Sequence, residues 1–499
     1  MRIDVLTKPV FEKYLFPAGF LILNFVVKII FLDRASIAND EPFSIYIAQM
    51  DIPAIVSHLS QGNNPPLFEI ILHFWIKIFG ISAFSTRFLP FLFSVTTVFF
   101  IYKLGVDFFS TRVALLSGLI FTFSNYHIYF AHETRVYSLF ALLTTVSMYA
   151  YLHLISGRNS KSYLFILILT NILLIYAHFF GLLVPVIQTL CFIIFREIRK
   201  GITWRYLFAL AVLVLSYIPY LAVLITRFVD SASNGTWISP SSFEDLYTML
   251  WRFSNAPLTT VVFLILLLSA LIKLIINKFS GITLNTKIIL VWFLFPYLFM
   301  FGVSMKYLPF NIPVFFDRYV IFISVGFYLL MAVSINYVFA GIKYKNFLIL
   351  LPVLFMIFTC RYNAGIQRNT AEFVGKVRAL KTAETLVYIC PDFFDLNFVY
   401  YYNTGYFREF DNKSIKTLMH SRLAQEGIFP VYNYTQIDTN LLKKAKDVIF
   451  VDAAAGFSSP DNNISGFLSK FYRIRETYTY SEIYNIYVFE KAQTGILQK

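Results

Sequence analysis

The sequence predicts a polytopic α-helical membrane protein with a soluble α/β domain at its C-terminal end, as three observations indicate. Of the 499 residues, 58% are apolar and 14% are charged, whereas soluble domains average about 25% charged residues. Apolar runs of about 20 residues, long enough to cross a bilayer, recur as far as Cys360. Beyond Cys360 the runs become short, β-branched and aromatic, which is typical of strands. We therefore expect a transmembrane domain at residues 1–360 and an extracytoplasmic α/β domain at residues 361–499.

Eleven apolar segments are predicted to span the membrane. They cover residues 14–32, 86–105, 112–124, 135–156, 162–178, 180–196, 206–226, 258–276, 287–305, 318–338 and 346–360. Lys and Arg gather in every second connection, whereas nearly all acidic residues lie in the others. Because positively charged loops stay in the cytoplasm, the N-terminus is predicted to be cytoplasmic, and an odd number of spans puts the C-terminal domain outside. The first segment is long for a signal peptide and contains Lys28, so we expect a retained helix.

The net charge of +14 raises the question of a nucleic-acid partner. The positive excess lies among the hydrophobic segments, where it marks cytoplasmic loops. It does not form a basic, aromatic-interleaved patch in the soluble domain, so we exclude nucleic acid as a partner. The three cysteines have neither metal-ligand spacing nor a disulfide framework, and we expect no cysteine chemistry.

Residues 33–85 form one long outer loop in this topology, and two helices are expected within it. The stretch "PPLFEIILHFWIKIFG" (residues 65–80) is apolar, yet Glu69, His73 and Lys77 recur every four residues. Such a stripe is typical of an amphipathic helix that lies along the membrane surface; a spanning helix over the same residues is the alternative. The earlier stretch "PFSIYIAQM" is the second candidate helix.

Acidic residues gather at the predicted outer ends of the helices, and none lies in the middle of a predicted span. Transporters and pumps usually hold carboxylates near the bilayer midplane, so this distribution favours chemistry at the outer membrane–water boundary. Asp40 and Glu41 are the first candidates for that chemistry. A helix cap is the competing interpretation, with Asn39 or Asp40 as the N-cap and Pro42 in the first turn. The two are compatible, because a capping turn also fixes the direction of a carboxylate.

The stretch "NYHIYFAHETRVYSL" (residues 125–139) brings an acid and a base, Glu133 and Arg135, to the outer start of one predicted span. One interpretation is that its tyrosines anchor the helix at the interface and the charges are solvated. The other is substrate binding, with Arg135 on a phosphate group and Glu133 on a hydroxyl group. The spacing is not that of a zinc motif, and we assign no metal ligand here.

Three further outer-face residues are candidates for binding. His178 lies in the predicted turn between two spans, where an interfacial role is the alternative. Arg318 follows Asp317 at the outer end of a late span, either as half of an internal ion pair or as a phosphate ligand, a role that suits a rigid guanidinium group. Lys306 is another outer-face cation. The sequence contains no glycine-rich phosphate loop and no nucleotide fingerprint, so these cations suit a lipid phosphate better than a soluble nucleotide.

The C-terminal domain is predicted to alternate strands and helices. The strands are expected at residues 384–390, 397–403, 446–453 and 483–491, and the helices at residues 371–382 and 463–472. This part of the sequence identifies no binding site.

Taken in order, several motifs resemble those of bacterial glycosyltransferases of family 39. They are the Asp-Glu pair after the first helix, "NNPPLFEIILHFWIKIFG", "STRFLP", "AHETRVYSL", "YAHFFGLL" and the late "DRY". The resemblance covers roughly residues 30–340 and extends to protein O-mannosyltransferases and the lipid A aminoarabinose transferase. It implies the GT-C architecture, with juxtamembrane helices in a large first outer loop. It also implies transfer of a sugar from a polyprenyl phosphate on the outer face of the bacterial cytoplasmic membrane.

The resemblance also implies roles for individual residues. The first-loop acid, which is taken as catalytic in the family, corresponds to Asp40. Glu41 lies beside it and stays open as the alternative. Glu133 and Arg135 match the second-loop acid and base of the family.

Two later positions complete the match. His178 corresponds to the histidine of the family's "Y-x-H-[YF]" segment, and Arg318 corresponds to the arginine of its "RY" segment. Glycosyl transfer from a phosphate needs a base at the acceptor hydroxyl and cations at the leaving phosphate. We expect Asp40 to deprotonate the acceptor, with inversion at the anomeric carbon, and we expect Arg135, Arg318 and Lys306 to hold the lipid phosphate.

Other functions are alternatives at this point. A lipid-linked glycan ligase or polymerase would share the lipid phosphates, but such proteins typically keep their catalytic loop late in the chain. A transporter or flippase for lipid-linked glycans would need repeats and midplane charges, and a non-catalytic receptor is a third possibility. The expected partners are a polyprenyl-phosphate-linked hexose or pentose, membrane lipids and a lipid, glycan or protein acceptor. No cofactor is assigned, although Asp40, Glu41 and Glu133 could together bind a divalent cation.

Overall fold

The computed structural model describes residues 16–62, 64–157, 160–234, 238–306, 312–342, 344–361, 369–410, 414–481 and 484–491. The chain divides into two compact units. The first, called the membrane unit here, consists of Met1–Leu32 and Ile52–Gly365; the second, called the α/β unit, consists of Asp33–Asp51 and Ile366–Lys499.

Helices make up the described chain as far as residue 361. They are α1 (Phe16–Ile29), α2 (Glu41–Ala48), α3 (Ile52–Ser60), α4 (Leu67–Phe79), α5 (Ala83–Phe108), α6 (Thr111–Thr122), α7 (Asn125–Ala131), α8 (Tyr137–Ile155), α9 (Ser160–Ala177), α10 (Leu183–Ile194), α11 (Arg196–Asn234), α12 (Phe243–Phe253), α13 (Pro257–Ile276), α14 (Leu284–Val303), α15 (Ile321–Val338), α16 (Lys345–Leu348) and α17 (Leu351–Phe358). All of them except α2 belong to the membrane unit.

Apolar helices lie at all eleven predicted segments. Six of them are long and apolar enough to cross a membrane: α5, α8, residues Ile202–Ser233 of α11, α13, α14 and α15. Helices α6 and α7 pass the same test together, although they meet at an angle of 62°. Four shorter apolar helices, Pro17–Ile29, Lys161–Ala177, Phe179–Ile194 and Lys345–Phe358, occupy the remaining segments. The multi-pass helical fold is therefore confirmed, whereas the number of eleven spans stays a prediction.

Helix α1 is held in the membrane unit by polar side chains. The amide of Asn24 donates to the hydroxyl of Thr122 (3.1 Å), and the ammonium group of Lys28 donates to Ser94 Oγ (2.8 Å). Lys28 also lies 3.9 Å from the centre of the Phe121 ring. Because a buried charge is costly unless it is hydrogen-bonded, these contacts explain how a helix with a lysine in its last turn packs inside the unit.

Helix α4 buries two of the three residues of its polar stripe, and the third, Lys77, is exposed. Glu69 and His73 are 2% and 4% exposed, whereas Phe74 and Ile78 are 54% and 75% exposed. At 13 residues and 1.5 Å per residue the helix is about 20 Å long, less than the hydrocarbon core of about 30 Å. The amphipathic helix is therefore confirmed. It is too short for a single span over these residues, and the exposed apolar face of α4 suits the membrane surface.

The α/β unit is built on a mixed sheet. Its helices and strands are α18 (Thr370–Leu380), β1 (Thr385–Cys390), α19 (Asp395–Tyr402), α20 (Thr404–Phe407), α21 (Ile415–Gln425), β2 (Ile428–Pro430), α22 (Thr439–Lys444), β3 (Asp447–Ala453), α23 (Ala455–Ser458), α24 (Ile464–Leu468), β4 (Tyr472–Tyr480) and β5 (Tyr484–Lys491). The strand order is β2-β1-β3-β5-β4. Strand β1 is parallel to β2 and β3, and β5 is antiparallel to β3 and β4.

One strand prediction is wrong. Residues 397–403 are not a strand, because most of them lie in α19. The carboxylate of Asp395 accepts the backbone N–H of Leu396 (2.6 Å), and an acid in the first turn stabilises a helix. The predicted strands at 384–390, 446–453 and 483–491 correspond to β1, β3 and β5, whereas β2 and β4 were not predicted.

The first outer loop divides between the two units. Residues 33–51 pack with the C-terminal part of the chain: the N–H of Ile37 donates to Tyr401 Oη (2.5 Å), and Tyr46 Oη donates to the carbonyl of Glu409 (2.8 Å). The rest of the loop, from Ile52 onward, belongs to the membrane unit. The predicted domain boundary between residues 360 and 361 stays a prediction. These contacts show in addition that an early segment, residues 33–51, belongs to the α/β unit.

Candidate active site

Asp40 and Glu41 begin helix α2 but have different surroundings. Glu41 is buried, and its carboxylate accepts the backbone N–H of Ala38 (3.2 Å). Asp40 occupies the N-cap position without making the capping hydrogen bond, and its side chain is half-buried. The N-cap position is therefore Asp40, one of the two predicted, but its side chain makes no capping bond; Glu41 instead holds the turn before the helix, and Pro42 lies in the first turn. Asp40 is half-buried whereas Glu41 is buried, which distinguishes the two acids.

The backbone at Asp40 is set by its neighbour. Asn39 has a φ of 55°, in the left-handed region that asparagine tolerates better than most residues. The side-chain amide of Asn397 on α19 donates to the carbonyl of Asn39 (3.1 Å). Asn397 therefore holds the turn that directs Asp40.

A buried ion pair links the second predicted motif to α4 in the membrane unit. Arg135 Nη1 lies 4.0 Å from Glu69 Oε1, and both side chains are about 95% buried or more. The turn before α8 is tight, because the N–H of Arg135 donates to the carbonyl of Glu133 (2.7 Å). Glu133 is also buried. Removing either member of such a pair leaves an uncompensated buried charge, so Arg135 is held firmly in place.

His178 lies in the turn between α9 and α10. Its Nδ1 accepts the N–H of Phe180 (3.2 Å), so Nε2 carries the ring proton and is a donor. The ring stacks on Phe140 at 4.9 Å and 5°. The turn requires Gly181, because a Cβ there would lie 2.2 Å from the carbonyl oxygen of Leu174. Among the described residues Nε2 has no hydrogen-bond partner.

Two guanidinium groups act on His178. Its pKa is lowered to about 3, first by burial and then by the positive charges of Arg135 and Arg318. The imidazole is therefore neutral at physiological pH, and it presents one N–H beside two cations. A buried N–H donor flanked by two arginines is the arrangement that an anion would complete.

Arg318 reaches this cluster from the short 3₁₀ turn Asp317–Tyr319. Its guanidinium lies over the rings of Phe316 (5.3 Å) and Tyr319 (5.8 Å), and the Tyr319 ring is 5.6 Å from that of His178. The carboxylate of Asp317 is paired with Arg252 (2.8 Å) and also accepts the N–H of Arg318 (2.7 Å). Asp317 therefore fixes the turn, and the ion pair that it forms is with Arg252.

The structure brings together three of the predicted binding residues, Arg135, His178 and Arg318. Lys306 is exposed and lies next to residues 307–311, which are outside the described part of the chain. The sequence identifies Glu69 only as part of a helical stripe, and its position on an otherwise apolar helix is the signal that points to a buried role. Within the described residues no group of three or more His, Cys, Asp or Glu could hold a metal ion.

Known structures match this chain over nearly its whole length. The crystal structure of ArnT from Cupriavidus metallidurans bound to undecaprenyl phosphate has a TM-score of 0.60, with 12% identity, and the match covers 95% of this chain and 98% of ArnT. This chain has the fold of the GT-C glycosyltransferases. The archaeal oligosaccharyltransferase AglB from Archaeoglobus fulgidus, in complex with an inhibitory peptide and a dolichol-phosphate, has a TM-score of 0.56 at 10% identity. That match covers 98% of this chain and 75% of AglB.

The GT-C resemblance also holds in sequence over part of the chain. Residues 63–223 match a family model described as dolichyl-phosphate-mannose-protein mannosyltransferase. This segment includes Glu69, Arg135 and His178. No curated protein sequence matches the chain. The resemblance to the GT-C glycosyltransferases and the multi-pass membrane fold are therefore both confirmed.

Proposed function

We propose that this GT-C protein is a glycosyltransferase that moves a sugar from a polyprenyl-phosphate-linked donor to an acceptor. The reaction takes place on the outer face of a bacterial cytoplasmic membrane, with the N-terminus inside and the α/β unit outside. The observation that carries the proposal is the neutral, buried N–H donor of His178 beside the guanidinium groups of Arg135 and Arg318. The acceptor is a lipid, a glycan or a protein.

The phosphate of the donor is assigned to this cluster. Each guanidinium group can bind two phosphate oxygens through two parallel N–H donors. The His178 Nε2–H supplies a further hydrogen-bond donor from another direction. Burial strengthens each of these interactions relative to water, and the ion pair with Glu69 holds Arg135 before the substrate arrives. Glu133 is assigned to a substrate hydroxyl group, and Lys306 is kept as an auxiliary cation.

The transfer itself is assigned to Asp40, in preference to Glu41. The Asp40 carboxylate takes the proton of the acceptor hydroxyl, and that oxygen forms a bond to the anomeric carbon from the side opposite the phosphate. The bond between the anomeric carbon and the phosphate oxygen breaks, and its electron pair stays on the phosphate, which Arg135 and Arg318 stabilise. The products are a glycoside of inverted configuration and a polyprenyl phosphate.

Binding of the lipid phosphate tests the proposal. The purified protein would be titrated with undecaprenyl phosphate and, separately, with dioleoyl phosphatidic acid, which carries the same head group on ordinary acyl chains. Binding would be followed by native mass spectrometry. We expect undecaprenyl phosphate to bind at least about tenfold more tightly. Equal affinity for the two lipids would reject a polyprenyl-phosphate site.

His178 is expected to act as a neutral hydrogen-bond donor. Replacement by glutamine keeps an N–H donor, so we expect His178→Gln to bind undecaprenyl phosphate within about threefold of wild type. His178→Ala should lose about 10- to 100-fold, the worth of a hydrogen bond to a charged group. Because the pKa of His178 is about 3, the ring stays unprotonated throughout pH 5–8. The kcat/KM profiles of wild type and His178→Gln should therefore run parallel in that range, and an inflection found only in wild type would contradict the assignment.

Asn397 is expected to position Asp40. Asn397→Ala removes the hydrogen bond to the Asn39 carbonyl and should lower kcat several-fold while leaving undecaprenyl phosphate binding unchanged. Asn403→Ala is the matched control, because Asn403 caps α20 of the same unit through Gly405. Each loss of a hydrogen bond costs about 1 kcal/mol of stability. Equal kcat values for the two variants would show that Asn397 has only a structural role.

A further inference from the structure

Three tyrosines form a cluster between α9 and α11, called the tyrosine cluster here: Tyr176, Tyr217 and Tyr220. Their ring centres are 5.6–6.2 Å apart. Tyr217 and Tyr220 are 6% exposed, and they lie three residues apart on one face of α11. Apolar side chains such as Ile175 and Leu213 pack around them.

The hydroxyl groups of the tyrosine cluster differ in their partners. Tyr176 Oη donates to the carbonyl of Ser216 (2.8 Å). The hydroxyls of Tyr217 and Tyr220 are buried, and among the described residues neither has a hydrogen-bond partner. A buried polar group without a partner is costly, and phenylalanine would fill the same space without that cost. Two adjacent cases on one helix face therefore point to a ligand with complementary polar groups.

The cluster adjoins the residues assigned to the donor phosphate. The Phe179 ring, next in sequence to His178, is 6.4 Å from the Tyr220 ring. The carboxylate of Glu69, the ion-pair partner of Arg135, lies within electrostatic range of the Tyr220 hydroxyl group. The tyrosine cluster is thus connected to Arg135 through Glu69 and to His178 through Phe179.

We propose that the Tyr217 and Tyr220 hydroxyls bind hydroxyl groups of the donor's sugar. The inference rests on the proposed function. Phenol groups both donate and accept hydrogen bonds, which matches a sugar hydroxyl, and they carry no charge to balance a phosphate. The aromatic rings offer apolar faces to the C–H groups of a pyranose. Because the sugar is joined to the phosphate through its anomeric carbon, it must lie beside the cations that hold that phosphate.

The structure supplies a matched control for a test on Tyr217→Phe, Tyr220→Phe and the double variant. Tyr206 lies on the same helix and is buried as well, but its hydroxyl is 2.9 Å from Thr189 Oγ1. Tyr206→Phe removes a hydroxyl that the protein itself uses. Thermal unfolding should therefore separate the two classes: the Tyr217 and Tyr220 variants should match or exceed the Tm of wild type, whereas Tyr206→Phe should lower it.

Affinity is the second readout. Native mass spectrometry would compare bare undecaprenyl phosphate with undecaprenyl phosphate bearing mannose, glucose or 4-amino-arabinose. We expect wild type to prefer at least one sugar-bearing lipid over the bare lipid. The double variant should lose about tenfold in affinity for that lipid, as expected for two hydrogen bonds, and should stay within about twofold for the bare lipid. Tyr206→Phe should keep both affinities.

Distinct results overturn the inference and the proposed function. If wild type binds neither bare nor sugar-bearing undecaprenyl phosphate, the proposed function fails. If wild type binds the bare lipid but the double variant keeps the wild-type ratio of affinities, or wild type has no preference, only the inference fails. The same holds if Tyr217→Phe and Tyr220→Phe lower the Tm as much as Tyr206→Phe does, because the hydroxyls would then serve the fold.

Discussion

Replacement of Asp40 by asparagine is expected to lower turnover about 10²–10⁴-fold, the usual contribution of a general base, with little change in donor binding. Asparagine has nearly the shape of aspartate but cannot accept the proton of the acceptor hydroxyl. Asp40 makes no capping hydrogen bond to α2, so the helix should form normally in the variant. Turnover would be measured with a saturating sugar-lipid donor in proteoliposomes, and folding by thermal unfolding.

Two controls make the Asp40→Asn result specific. Glu41→Gln keeps an oxygen that can accept the N–H of Ala38 and should reduce turnover less than about fivefold, with a stability loss of about 1 kcal/mol. Asp33→Asn removes an exposed acid of the same segment and should have no effect. Near-normal turnover of Asp40→Asn would remove Asp40 from the role of base, and a larger loss in Glu41→Gln would transfer that role to its neighbour.

Replacement of Arg318 by glutamine is expected to weaken binding of undecaprenyl phosphate by about 10–100-fold, which corresponds to a hydrogen bond between charged groups. Lysine at this position keeps the charge but not the planar fork, so Arg318→Lys should fall between glutamine and wild type. Arg318 is a better choice for this test than Arg135. Loss of Arg135 would leave Glu69 as a buried, uncompensated charge, at a cost of about 3–5 kcal/mol in stability.

Arg252→Gln is the matched control for Arg318→Gln. Arg252 undergoes the same chemical change, but its side chain is 52% exposed and pairs with Asp317 at the surface of the membrane unit. Such pairs contribute about 1 kcal/mol at most, so binding should stay within about twofold of wild type. Equal losses in the two variants would show a nonspecific effect of outer positive charge instead of a ligand contact.

Much of the fold could be predicted from the sequence because its signals are local. Apolar runs separated by charged connections gave helices at all eleven predicted segments, and the four-residue spacing of Glu69 and His73 gave α4. Two features depend on long-range packing instead. Residues 397–403 have the composition of a strand, yet they form most of α19. Residues 33–51 belong to the same unit as residues more than 300 positions later in the chain, and no local sequence pattern predicts such a contact.

The candidate site was predictable in its residue types and less so in its grouping. Arg135, His178 and Arg318 stood out as polar residues at the ends of apolar helices, and the structure brings them together. Glu69 was not predicted as a site residue, because a stripe on an amphipathic helix is normally solvated, whereas here it is buried against Arg135. Only the fold shows that the tyrosine hydroxyls on α11 are buried.

Formation of undecaprenyl phosphate from sugar-bearing donors tests the central claim most directly. Wild type and Asp40→Asn would be reconstituted in proteoliposomes with a membrane extract as the source of acceptor. Undecaprenyl phosphate bearing mannose, glucose or 4-amino-arabinose would be added, and its conversion followed by liquid chromatography and mass spectrometry. We expect wild type to convert at least one donor, with the sugar appearing on an acceptor, and Asp40→Asn to convert it at least about 100-fold more slowly. A wild-type protein that binds these donors but releases no more undecaprenyl phosphate than Asp40→Asn would contradict the account.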